Sequence, residues 1–222
     1  MDYEFRKTKI AFAPIIVFSI CFSGMLSACS DTDTAIGSSI VSAAREQIGK
    51  TVRYDPAYRS IAYPDGDVPI DRGVCTDVVI RALRAGLGLD LQKSVHEDMK
   101  RHFGMYPKKW GLGSPDSNID HRRVANLQTY FERKGYSVAV SKEADDYKPG
   151  DLVTCTVPPR LPHIMIVSDK KTLWGVPLVI HNIGAGTKEE DRLFEFELTG
   201  HYRVNEIKQV QAADGAEPRG RP

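Results

Sequence analysis

Cysteine is scarce in this chain: there are four in 222 residues, and none are spaced as Cys-x-x-Cys. That removes paired-cysteine metal and redox motifs from consideration. A surplus of charge is missing as well. The formal net charge is +1, so bulk electrostatics give no reason to expect nucleic acid or an acidic polymer as a partner. No P-loop, Rossmann fingerprint or internal repeat is present. His-x-x-x-His and His-Glu-x-x-His are also absent. A metal site of His163, His181 and His201 with an aspartate therefore has no support from spacing, and neither a metal nor a cofactor is expected. What remains is ordinary: 41% hydrophobic and 27% charged residues suit one globular domain with appendages.

The N-terminus departs from that average. Arg6, Lys7 and Lys9 precede an apolar run from Ile10 to Leu26 that is interrupted by Pro14, Ser19, Ser23 and Gly24. The run falls short of the roughly 20 residues that a membrane span needs. Leu26-Ser27-Ala28-Cys29 follows and resembles a bacterial lipobox. That resemblance implies cleavage before Cys29 and lipid on its thiol; an uncleaved anchor helix is the other reading. Two or more acyl chains would hold the protein stably on a membrane, where one would not. Ser30 follows the cysteine, with no aspartate directly after it, which leans towards the outer membrane. The expected organisation is a signal peptide over 1–28, a lipidated tether over 29–37, a folded domain over 38–205 and a disordered tail over 206–222. Cleavage would take three basic and two acidic side chains, leaving the remainder formally neutral.

Periodicity predicts helices in the first half of the domain. One covers Ser38 to Ile48, with Ile40, Val41, Ala44 and Ile48 on one side. A long loop over 55–73 is rich in turn chemistry, and long loops inside compact domains tend to be functional. A helix starts at Cys75, with Val78, Val79, Ala82 and Leu83 as its apolar stripe and Gly86 and Gly88 as its stop. Ser94-Val-His-Glu97 has a capping-box pattern and opens a helix to about Phe103, on whose surface His96 and His102 would lie. A second irregular loop spans 104–119, with Tyr106 and Trp110 as anchors. Asp120 is a suitable N-cap for a helix over His121–Lys134. The period then becomes extended, with strands expected at 136–140, 152–157, 163–168, 178–183, 194–198 and 201–204. Helices followed by antiparallel strands make an α+β layout.

Cys75 is the chemically notable residue. At a helix N-terminus, unpaired backbone N–H groups and the macrodipole favour a thiolate, so Cys75 is a nucleophile candidate. Such chemistry needs an imidazole to take the proton and a polar group to orient that imidazole. His163 opens one strand, and His181 and Asn182 are neighbours on the next, so their side chains point to opposite faces. Cys155 is the other cysteine of the folded part, and in an oxidising compartment a Cys75–Cys155 disulfide is the competing reading.

The segments Lys148-Pro-Gly-Asp-Leu-Val153, Pro162-His-Ile-Met-Ile-Val167 and Val179-Ile-His-Asn182 resemble the successive sheet segments of NlpC-type papain-like cell-wall peptidases. That resemblance implies N-terminal helices packed on a C-terminal antiparallel sheet. It assigns Cys75 as nucleophile, His163 as base and His181 as orienting group, with Asn182 as the substitute and Tyr54 as the oxyanion candidate. More of the chain, roughly residues 40 to 204, resembles the bacterial domain-of-unknown-function family 1287. Tyr54-Asp-Pro-Ala-Tyr58, Gly73-Val-Cys-Thr-Asp77, Asn118-Ile-Asp-His121 and Thr199-Gly-His-Tyr-Arg203 carry that likeness. The chain departs from the NlpC pattern in having Thr76-Asp77 where Ser-Gly is usual, a long His163–His181 interval, and the loop over 104–119.

These resemblances imply a lipid-anchored thiol hydrolase facing the periplasm, acting on amide bonds of peptidoglycan or of another envelope amide. A non-catalytic binding lipoprotein of the same fold is the alternative.

Overall fold

The computed structural model describes residues 24–205, with side chains from residue 32 onward. The expected signal region before residue 24 and the expected tail after residue 205 lie outside the described residues. Among the described residues no helix is long and apolar enough to cross a membrane.

Helix α1 spans Gly24–Arg45 and α2 spans Cys75–Leu87. The first starts well before Ser38, so the stretch expected as a tether is helical. Ile40, Val41 and Ala44 face Val78, Val79, Ala82 and Leu83, all nearly inaccessible to solvent. The two helices run antiparallel. Gly86 near the end of α2 lies so close to Ser39 that a Cβ would sit 2.7 Å from its carbonyl oxygen, while Gln47 beyond α1 donates to the Val78 carbonyl near the start of α2. Gly88 ends α2 in the left-handed conformation, with φ of 66°.

Helix α3 spans Leu91–His102, four residues earlier than the Ser94 capping pattern predicts. Asp90 is the cap instead, its carboxylate accepting from the Gln92 N–H at 3.0 Å. His96 is buried against Tyr63, not on the surface as expected. Helix α4 spans Val124–Arg133. Asp120 does not cap it but opens a 3₁₀ turn, Asp120–Arg122, that packs inward.

Strand β1 is Arg53–Tyr54 and β2 is Arg72–Gly73, paired in parallel. The residues expected as a turn before Cys75 are therefore a short strand. The main sheet holds β3 (Ser137–Val138), β4 (Leu152–Val157), β5 (Leu161–Lys171), β6 (Pro177–His181), β7 (Lys188–Glu190) and β8 (Glu197–Tyr202). Its order is β3-β8-β4-β5-β6-β7, antiparallel throughout. The two strands expected at 194–198 and 201–204 are one, and charged Lys-Glu-Glu at the sheet edge forms a strand that apolar patterning does not reveal.

Alternation along β4, β5 and β6 divides the interior in two. Leu152, Ile164, Ile166 and Ile180 pack with the helices, whereas Val153, Cys155, Met165, Val167 and Val179 pack on the other face with Tyr147 and Leu193. The molecule is thus a mixed α+β fold with its helices on one face of an antiparallel sheet.

Candidate active site

Val74 ends the approach strand in an extended conformation and caps α2, so Cys75 is the first helical residue. Asp77, at the third position, folds back to accept the Val74 N–H at 2.6 Å. The Asp77 carboxylate also takes two hydrogen bonds from Arg122, at 2.8 and 2.9 Å, in an ion pair whose two side chains are almost wholly buried. Arg122 continues to the carbonyls of Ala57 and Asp55. Thr76 donates to the Arg122 carbonyl at 3.1 Å. The loop over 55–73, the 3₁₀ turn and the start of α2 are therefore tied by one buried network. Thr76-Asp77, the departure from the NlpC pattern, is what builds it.

The Cys75 thiol is itself buried, 4% exposed. Burial pushes its pKa up to about 11, outweighing the backbone N–H groups of Ile164, Thr76 and Cys75 that point at the sulfur and favour the thiolate. The expectation that the helix start would dominate is corrected here: desolvation is the larger effect. The approach of the thiol to Ile164 sets it beside the residue that follows His163 on β5.

His163 and His181 meet across β5 and β6, with His163 Nε2 2.8 Å from His181 Nδ1. Burial holds the first down at about pKa 3 and the second at about 4, so both rings are neutral near pH 7. With Nε2 engaged by His181, Nδ1 is the His163 nitrogen left to handle a proton. His181 Nε2 is buried without a hydrogen-bond partner and lies 4.0 Å from Glu190 on β7. Asn182 turns the opposite way. Its amide donates to the Gly73 carbonyl at 3.0 Å and the Arg53 carbonyl at 3.4 Å, joining the end of β6 to the strand that leads into Cys75.

Tyr54 lines the same cleft as Cys75, together with Trp110, Arg122, Arg123 and Pro162, around a volume of about 260 Å³. Burial, with Cys75 and Asp77 nearby, raises the Tyr54 phenol to about 12, so it remains a donor. Trp110 forms part of the wall and carries the Arg123 guanidinium 4.2 Å above its ring. A profile of the family described as "Domain of unknown function (DUF1287)" matches residues 41–204. The chain belongs to the DUF1287 family. It is also 57% identical, over 164 residues, to "Uncharacterized protein YijF" of Escherichia coli (strain K12), a stretch that covers 74% of this chain and 80% of that one. The DUF1287 region contains Tyr54, Cys75, His163, His181 and Asn182, and leaves Cys29 outside.

Within the DUF1287 region, the structure separates residues that the sequence left grouped. Cys75 and Cys155 are both free thiols, packed in the clusters on opposite faces of the sheet, so no disulfide joins them. Cys155 faces its strand partner His163 in register. His201 does not join His163 and His181; its Nε2 is 2.7 Å from Asp151, which Arg203 also holds. A metal site of His163, His181 and His201 thus loses one of its members. Among the described residues no group of three or more His, Cys, Asp or Glu is placed to hold a metal ion.

Sequence reasoning missed Asp77, Arg122 and Glu190 as members of the site. Arg122 directly follows Asn118-Ile-Asp-His121, the one signal that pointed to this segment. Nothing local marks Glu190.

Proposed function

We propose that this protein is a membrane-anchored cell-envelope thiol hydrolase of papain-like, NlpC-type architecture that cleaves amide bonds in peptidoglycan. The observation that supports the reading is a helix-start cysteine at the Ile164 N–H, one residue along β5 from His163, whose ring pairs with His181 on the adjacent strand. Strand alternation puts both rings on the Cys155 face, so the reaction would require the His163 ring to turn round the start of β5 towards Cys75. His163 would accept the Cys75 proton through Nδ1, and the thiolate would attack the amide carbonyl. The imidazolium would be stabilised through His181 and then protonate the leaving amine. Water, deprotonated by His163, would release the acyl group from sulfur.

The carbonyl oxygen becomes an anion next to the first N–H groups of α2, with the Tyr54 hydroxyl on the cleft wall as a further donor. One such donor contributes about 3–4 kcal/mol. The high thiol pKa fits a proton transfer that occurs as substrate attack begins, not a standing thiolate in the free protein. Anchoring through lipid on Cys29 would place the domain in the periplasm, with the outer membrane favoured.

One observation favours a second reading, a non-catalytic envelope-binding lipoprotein of the same fold: the thiol is buried and held protonated. Digestion of purified sacculi with the wild-type protein and with Cys75→Ala separates the two. New amide-cleavage products with the wild type alone support the hydrolase. Sedimentation with sacculi and no products from either protein supports the binding lipoprotein.

A further inference from the structure

Leu173 and Trp174 are the most solvent-exposed large apolar residues described, 101% and 90% exposed. They occupy the turn between β5 and β6, and the turn is built to hold them outward. The Thr172 N–H donates to the Val176 carbonyl at 2.8 Å, the Thr172 hydroxyl accepts from the Trp174 N–H at 3.3 Å, and Gly175 takes a φ of 83° that favours glycine. Lys170 and Lys171 precede the tip at the end of β5, both about half exposed, held by Glu189 and Asp145. An isolated exposed leucine needs no explanation, but an adjacent Leu-Trp pair on an ordered turn directly after two lysines has the chemistry of a lipid interface.

The position of the tip supports the same occupant. His163 is the third residue of β5 and Lys171 its last, a separation of roughly 26 Å at about 3.3 Å per residue. The tip therefore leaves the sheet at the end opposite the candidate site. Gly150, which precedes β4 on that side of the sheet, donates to the Val167 carbonyl midway between His163 and Lys171, and Gly37 of α1 packs against Pro149 and Gly150. The apolar run Ile10–Leu26 leads directly into α1.

We propose that the Leu173–Trp174 turn is a membrane-contacting tip, seated in the headgroup region of the phospholipid bilayer that holds the chain. It would give the anchored domain a second point of contact and turn the Cys75 cleft away from the lipid. The inference rests on the anchoring part of the functional reading and not on the hydrolase part.

The test uses the full chain carrying Trp110→Phe, which leaves Trp174 as its sole tryptophan, mixed with vesicles of phosphatidylethanolamine and phosphatidylglycerol. Flotation reads the anchor, and Trp174 emission reads the tip. Expected is co-flotation with a blue-shifted emission that headgroup-proximal brominated lipid quenches, and quenching by aqueous iodide reduced several-fold relative to detergent. Chain that floats while Trp174 remains as open to iodide as in detergent overturns the tip and leaves the anchor standing. Chain that does not float overturns both. Protein-concentration-dependent shielding of Trp174 in detergent would assign the tip to a second copy and also overturn the proposal. Adding Cys75→Ala should change none of these readings.

Discussion

His163 Nε2 and His181 Nδ1 lie 2.8 Å apart across two neighbouring strands, and both rings are almost wholly buried. One of the two nitrogens must carry the shared hydrogen, so the contact fixes the tautomers of both rings together. It leaves His163 Nδ1 outside the contact, while Asn182 bonds elsewhere, to the Gly73 and Arg53 carbonyls.

Cys75→Ala and His163→Ala should each lower amide turnover by about a thousandfold or more, since a nucleophile and its base act as a unit. The cysteine variant should keep a melting temperature close to wild type, because Cys75→Ala removes one sulfur from a packed site. Turnover of peptidoglycan fragments and thermal unfolding, measured on the same preparations, check this. Full activity in either folded variant would remove the assignment.

His181→Ala and Asn182→Ala should separate rate from stability. The first removes the group proposed to orient His163 and should leave slow but measurable turnover, roughly a hundredfold down, while His181→Asn should recover part of it. The second should alter the rate little. It strips a donor from the Gly73 and Arg53 carbonyls and should cost about 1–3 kcal/mol of stability, seen as a lower denaturation midpoint. An Asn182→Ala rate loss matching that of His181→Ala would reverse the two roles.

Acid should unfold this protein through its buried histidines. His121, His163 and His181 are neutral in the fold, with pKa values pushed down by burial to about 4, 3 and 4. The unfolded chain takes up their protons near pH 6.5, so it binds more protons than the folded chain below that pH. Stability is then present above pH 6.5 and is lost as pH falls towards 4, by up to about 1.4 kcal/mol per pH unit for each histidine. Denaturation midpoints across pH 7 to 4 should fall, and His121→Gln should flatten the slope. An unchanged slope would mean that His121 is protonated in the fold.

Asp77→Ala should destabilise the domain by about 3–5 kcal/mol, because it leaves the Arg122 guanidinium buried without its carboxylate. The double variant Asp77→Ala with Arg122→Met should recover part of that loss. Chemical denaturation of the four members of this cycle gives the coupling directly, and additive losses would show that the pair does not act as one.

Cys29→Ser should abolish lipid attachment and move the protein from the membrane fraction to the soluble one, or leave an uncleaved precursor. Intact mass of the membrane-extracted protein reads this. A mature chain starting elsewhere with no acyl mass would remove the anchor from the functional reading.

The segments around the site were readable in sequence because their signals are local. Cys75 follows a Gly-Val approach and precedes an apolar stripe with a glycine stop. Leu152–Val157 has the same bounds as a predicted and an observed strand. The opposite orientations of His181 and Asn182 follow from strand alternation alone. Where local signals competed, the prediction moved: Asp90 displaced Ser94 as the cap of α3, and Asp120 turned inward to a 3₁₀ turn because its carboxylate meets the Asp116 N–H and Arg123.

The sequence by itself determined the layout of helices followed by strands, the start of the cysteine helix and that only one of His181 and Asn182 can share a face with His163. All three depend on backbone periodicity, which a short window carries. Only the tertiary structure decided that Asp77 pairs with Arg122, that Cys75 and Cys155 lie on opposite faces, and that His201 belongs to Asp151. It also decided that the thiol is held protonated, since the desolvation that raises its pKa comes from residues distant in sequence that pack around the start of α2. Pairing and burial depend on which segments meet, and one strand's register against another is set by the whole core rather than by its own residues.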